Sequence, residues 1–208
     1  LLAAGCWLLA AGCEDSIEVP RPSATIVNVG YRSTNLWVVS AGRSRLLVDL
    51  GWPGMVGQLV ANLERKGIPL NEVTHGLATH YHIDHAGAAQ DLKHKGMLLI
   101  VLEPQVEAVP LMKRWIKPAD SYTDIATHDN VVLRAADSRT FLERLGIAGE
   151  IVPTPGHSVD SVTLVLDNGS AFTGDLTLEV MVAAEDPVVV AQSWQSLRDR
   201  GVTTIYPG

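Results

Sequence analysis

Three of the seven histidines of this 208-residue chain stand in one heptapeptide, Thr79-His80-Tyr81-His82-Ile83-Asp84-His85. Alternate side chains of an extended chain share a side, so His80 and His82 point the same way, while Asp84 and His85 turn off that line toward a neighbouring position. Neutral imidazoles and carboxylates are ligands suited to zinc and acceptable to iron or manganese. Packing is a poor account of four ligand-type side chains between positions 80 and 85. Two more positions follow the same local grammar, a polar ligand beside a glycine just past a strand: His157 in Pro155-Gly156-His157-Ser158-Val159-Asp160-Ser161, and Asp175 in Thr173-Gly174-Asp175. Glycine there lets the backbone approach an ion closely. Taken singly, His157 reads equally well as a surface-loop histidine; with the cluster the two complete a set.

These ligands need a scaffold that brings distant loops to one edge. From Thr25, the runs TIVNVG, TNLWVVS and RLLVDLG read as strands, with Ala41-Gly42-Arg43-Ser44 as a hairpin turn, so an antiparallel meander opens the domain. Met55, Val56, Leu59, Val60 and Leu63 recur at helical spacing, and Gly67 and Pro69 stop that helix after Lys66. THGLAT is a strand leading into the histidines, AGAAQDLKHK a helix, MLLIVL a buried strand, and EPQVEAV a helix with Pro104 in its first turn. Residues 110–125 lack a sustained period and read as a loop with a short helix, of the kind that often serves function. NVVLR, EIVPT and the hairpin SVTLVLDNGSAFTGD, turning at Asn168-Gly169, supply further strands; SRTFLERLG and PVVVAQSWQSLRDR supply helices, the latter with Val190, Trp194 and Leu197 on one face. Mixed strands with interspersed helices predict a layered α/β or α+β domain over residues 25–208.

A 47% hydrophobic, 19% charged composition supports a real core, and the net charge of −7 gives no basic face, so nucleic acid is not an expected partner. Both cysteines, Cys6 and Cys13, precede the domain, which therefore relies on packing and metal rather than disulfides. Residues 1–24 read as signal-like or disordered: LLAAGCWLLAAGC resembles an export or lipid-anchor signal, or else a stretch wrongly joined to the domain. A membrane is expected only through such a lipidated N-terminus, which leaves the location cytoplasmic or, if that segment is genuine, the cell envelope.

With the motifs in this order, the sequence resembles the metallo-β-lactamase-fold hydrolase superfamily from Ile26 to Gly208. The HxHxDH signature is matched by His80, His82, Asp84 and His85, the later lone histidine by His157 and the bridging aspartate by Asp175. The resemblance implies a four-layer αββα sandwich of α+β class with two divalent metal ions, zinc first and iron or manganese next, at one edge between the sheets. It implies that His80, His82 and His157 hold one ion, Asp84 and His85 the other, and that Asp175 bridges them. Asp49, in VDLG, corresponds to an early acidic residue that would fix the metal-binding loop by hydrogen bonds; an ordinary strand-end aspartate capping a turn is the other reading. Thr79 and Ser161 are candidates to orient ligands, and Trp52, Met112, Trp115 and Tyr122 to line a substrate groove or, equally, to pack in the core. The final histidine of the family pattern is not in the sequence, which stops at Tyr206-Pro207-Gly208, so the expectation is a C-terminally truncated domain with an incomplete second site.

The chemistry such a pair implies is hydrolysis. Metal lowers the pKa of bound water to give a hydroxide near neutral pH and polarises the substrate oxygen, with Asp84 as the catalytic carboxylate that orients the attack. An aspartate at 175 resembles the thioesterase and lactonase branches rather than the lactamases, and His82 stands where diiron redox members commonly carry an acid. An ester-like bond in a small molecule, thioester or lactone, is thus favoured over β-lactam or phosphodiester. The alternatives are a metal-binding protein with weak or no catalysis, and a diiron redox relative. His75, His94 and His128 fall outside the pattern.

Overall fold

A computed structural model describes residues 24–41, 44–183 and 185–208. The signal-like segment, Ala24 apart, and Gly42 and Arg43 of the first turn lie outside the described residues. Strands β1 (Thr25–Asn28), β2 (Trp37–Ala41) and β3 (Ser44–Val48) pair as an antiparallel meander, and β4 (Val73–Leu77), β5 (Leu98–Leu102) and β6 (Val131–Leu133) extend it in parallel into a six-stranded sheet ordered β1-β2-β3-β4-β5-β6. A second sheet of β7 (Gly149–Pro153), β8 (Val162–Leu166), β9 (Ser170–Gly174) and β10 (Thr204–Pro207) runs β10-β9-β8-β7, with β10 parallel to β9 and the others antiparallel.

The two-residue period of these strands makes the layers. On β5, Leu99 and Val101 face an outer core, while Ile100 and Leu102 face an inner one that also holds Leu46, Val48, Ile151, Leu164 and Phe172 from the two sheets. The outer core packs Val38, Leu47 and Leu99 against Leu59 and Leu63 of α1 (Val56–Arg65) and Leu92 of α3 (Ala89–Lys93). On the far side Val152, Val165 and Ala171 pack against Val190, Trp194 and Leu197 of α6 (Pro187–Arg198), the face the sequence marks. The order helix, sheet, sheet, helix is the expected αββα sandwich.

Helix α6 starts where Asp186 accepts hydrogen bonds from the Val188 and Val189 N–H groups, with Pro187 at its first position. Two other segments differ from the sequence expectation. AGAAQDLKHK is helical only as α3, because Gly87 separates it from a single turn α2 (Ile83–Ala86) and lies so close to Pro53 that a Cβ there would stand 2.3 Å from its Cδ. EPQVEAV forms a 3₁₀ turn, Glu103–Gln105, ahead of α4 (Ala108–Leu111), since the buried Gln105 side chain accepts from the Leu102 N–H and donates to the Ala78 carbonyl. A tertiary tether there overrides helical propensity. Helix α5 (Ser138–Arg144) packs against β7 as its pattern predicts. Among the described residues no helix is long and apolar enough to cross a membrane.

Candidate metal centre

Strand β3 runs out into Asp49, whose φ of 60° is a left-handed conformation that aspartate tolerates better than most residues. That turn puts a carboxylate only 1% exposed beneath the histidine-rich loop. Its Oδ1 accepts from the backbone N–H and the hydroxyl of Thr79, 2.8 Å each, and its Oδ2 lies 2.9 Å from His85 Nδ1. Thr79 Oγ1 is also 3.3 Å from His80 Nδ1, which turns Nε2 of that ring toward the other histidines. Space here is tight: a Cβ on Gly174 would come 2.2 Å from Thr79 Oγ1.

The cluster itself closes from three loops. His80 sits at the hub, its ring centre 4.5 Å from that of His82, 4.2 Å from His85 and 4.8 Å from His157. His82 Nδ1 and His157 Nε2 stand 3.1 Å apart, near the separation of about 3.4 Å that two nitrogens take around one tetrahedral zinc at about 2.1 Å. Asp175 reaches toward both sides, with Oδ1 3.3 Å from His85 Nε2 and Oδ2 3.9 Å from His157 Nε2. Two sets of ligand atoms therefore converge, His80 with His82 and His157, and His80 with His85 and Asp175. Asp84 sits beside the second set, its Oδ2 3.6 Å from His85 Nε2 and accepting from the Thr34 hydroxyl at 3.1 Å. His80 Nε2 is buried with no hydrogen-bond partner among the described residues, an orphan that an ion among these imidazoles would satisfy. The donor set thus fits a metal.

Burial, and then the neighbouring imidazoles His85, His82 and His157, hold His80 well below the usual histidine range; burial and His157 lower His82 as well. Burial would also lower His85, yet the Asp49 carboxylate, helped by Asp175, overrides it and pushes that ring up to about 11. Asp175 is in turn lowered by its contact with His85.

Loops as much as strands are braced. Asp160, 6% exposed, accepts from the Tyr81 N–H at 2.8 Å and the Ser158 hydroxyl at 2.6 Å, tying the loop of His157 to that of His80 and His82. Ser161 acts inside that loop through Ser158 rather than on a ligand, its hydroxyl 2.9 Å from that of Ser158. From α6, Ser193 donates to the Pro155 carbonyl ahead of His157, and Trp194 Nε1 donates to the Thr177 carbonyl just after Asp175. The turn at 31–34 supports the other flank: Thr34 holds Asp84, and the Tyr31 hydroxyl accepts from the Trp52 N–H. Sequence reasoning missed Thr34, Tyr31 and Gln105, which carry no local signal, and gave Asp160 no role although it stands three residues after His157. At the end of β10, Gly208 lies against the cluster, where a Cβ would come 2.5 Å from His85 Cε1 and 3.0 Å from Asp175 Oδ1.

A cleft of about 420 Å³ opens onto these groups, with His82 and Asp84 among its lining beside Trp52, Trp115, Lys117 and Asp120. Of the four suggested groove residues, Met112 is buried in the outer core and Tyr122 packs against it, in a segment tied to α3 where Thr123 donates to Asp91 and the Ala126 N–H to Gln90. His75 packs on Phe141, His94 meets Gln90, and His128 is exposed beside Asp129, all away from the cluster.

A family model described as the metallo-beta-lactamase superfamily matches residues 29–208. A lactamase-like protein of Pestalotiopsis microspora is 29% identical over 181 residues, covering 85% of this chain and 49% of the relative. An atrochrysone carboxyl ACP thioesterase of Aspergillus chevalieri is 27% identical over 183 residues, covering 85% of this chain and 51% of its own. This chain therefore spans about half the length of those curated relatives. Among solved structures, a metallo-beta-lactamase family protein from Thermus thermophilus superposes with a TM-score of 0.66 at 22% identity, over 90% of this chain and 73% of that one. At that identity the likeness concerns the fold.

Proposed function

Since the chain belongs to the metallo-beta-lactamase superfamily, we propose that it hydrolyses an ester-like bond, thioester or lactone, in a small molecule, using two divalent ions of which zinc is the first candidate. The observation that carries this reading is the orphaned His80 Nε2 at the junction of two convergent ligand sets beside an open cleft. His80, His82 and His157 would hold one ion, Asp84 and His85 the other, with Asp175 between them. When bound, such ions acidify a coordinated water and draw charge from the scissile carbonyl.

The chain's own groups do the rest. Asp84 lines the cleft and accepts a hydrogen bond from Thr34, which supports a role for its carboxylate in taking a proton from attacking water and orienting that water. Asp49 and Thr79 hold His85 and His80 in the rotations that aim their free nitrogens inward. A thioester is favoured because one relative is named as a thioesterase, while a net charge of −7 disfavours the phosphodiesters of nucleic acids.

The test is elemental analysis combined with turnover of a panel of thioesters, lactones and a β-lactam. About two ions per chain, loss of turnover on chelation, and an Asp84→Asn variant that folds but loses about a hundredfold in kcat are expected. Turnover that survives chelation, or Asp84→Asn at near-normal kcat, would sink the reading.

A further inference from the structure

The cleft beside the cluster has an unusual wall. Trp115 is 63% exposed, and its ring centre lies 5.9 Å from that of His82. Trp52 is held rigidly: the Tyr31 hydroxyl accepts its backbone N–H at 3.1 Å, and the Arg32 guanidinium rests 5.3 Å from its ring centre. Apart from Ile83, the apolar lining consists of these two indoles. Indole offers a large, stiff, flat face that favours offset or edge contact with another ring. A flexible alkyl chain would gain as much from leucine or methionine at less steric restriction. The cleft volume of about 420 Å³ suits a group of one or two rings.

The polar end is equally specific. The turn 117–120 closes on itself, with the Lys117 N–H donating to Asp120 Oδ2 at 2.7 Å and the Asp120 N–H donating to the Lys117 carbonyl at 2.9 Å. Asp120 is thereby engaged by backbone, and the Lys117 ammonium has no ion-pair partner among the described residues although it lines the cleft. A cation in a cleft beside aromatic walls recognises a carboxylate or similar anion.

Resting on the hydrolase reading above, we propose that this cleft selects a planar aromatic acyl group bearing an anionic substituent remote from the scissile bond. Trp52 and Trp115 take the ring, and Lys117 meets the charge.

The experiment compares the acetyl, benzoyl and 4-carboxybenzoyl thioesters of N-acetylcysteamine. Each step along that series raises kcat/KM about tenfold in the wild type; Trp115→Ala removes the first step, mainly through KM, and Lys117→Met removes the second. Equal kcat/KM for all three thioesters, or steps that persist in both variants, would overturn the inference. Calorimetric binding of terephthalate against adipate gives a readout independent of turnover: terephthalate binds at least tenfold tighter to the wild type, and the margin disappears in Trp115→Ala. Absence of turnover with that margin intact would reject hydrolysis and keep the cleft's selectivity, whereas equal binding of the two acids would reject the selectivity itself. Trp115 and Lys117 are both exposed, so the variants keep the core intact.

Discussion

His80, His82 and His157 face one another, whereas His85, its ring centre only 4.2 Å from that of His80, has one nitrogen toward Asp49 and the other toward Asp175. Both sets are burial environments for imidazole, yet they act oppositely on its proton. Among like groups, burial strips the proton from His80 and lowers His82; between carboxylates, the same burial is overridden and His85 holds its proton up to about 11. His80 and His82 are therefore held toward the neutral form that a metal takes, whereas His85 must release a proton first. The chemical identity of a ligand does not fix its readiness; its nearest charges do.

The largest effect should come from His80, which would ligate one ion only but stands at the junction of both convergent ligand sets. His80→Ala removes the hub ring, and both ions should be lost together: metal content near zero by elemental analysis and turnover down by more than about a hundredfold, the upper end of what losing a mere supporting group costs. Retention of one tightly held ion in that variant would mean that the halves are independent and the comparison misplaced.

The next test is protonic. Binding of the ion near His85 should release about one proton per chain more at pH 7 than binding of the ion near His80 and His82, and should tighten about tenfold per pH unit over the neutral range, read by calorimetry in buffers of different ionisation enthalpy. Stability of the metal-free protein gives the same contrast. His85 has a folded pKa above the usual 6.5, so its contribution is full below that value and is lost as pH rises through about 11. His80 has a lowered one, so its contribution is present above 6.5 and is lost as pH falls below it. Asp49→Asn, which keeps the shape and tolerates the left-handed φ, should flatten the alkaline limb of denaturation midpoints against pH and leave the acid limb.

Smaller and reciprocal effects should follow from the two braces. Asp49→Asn should weaken the ion held near His85 by about 10- to 100-fold with less change at the other, and Asp160→Asn, which loosens the ties to Tyr81 and Ser158, should do the reverse. Competition with a chromophoric chelator reads both affinities. Identical losses at both ions in both variants would show that the loops move as one body.

The sequence by itself determined the layers, because strand and helix periods are local: Leu99 against Ile100 on β5, and Val190, Trp194 and Leu197 on α6, report which face is buried without reference to any partner. It also marked the ligand-type residues, since four within positions 80–85 and glycines beside His157 and Asp175 are features of the string. What only the tertiary structure decided is how those residues are held and charged. Thr34 lies 50 residues from Asp84, Gln105 reaches back 27 residues to Ala78, and Asp160 ties to Tyr81 across 79; none of these pairings leaves a trace in local sequence. Met112 and Trp115 are separated by three positions in one loop, yet one is sealed in the core and the other stands over the cleft, a choice made by the elements on which that loop folds. Whether a buried histidine keeps or sheds its proton is likewise set by charges within a few ångström, and sequence order does not record which charges those are.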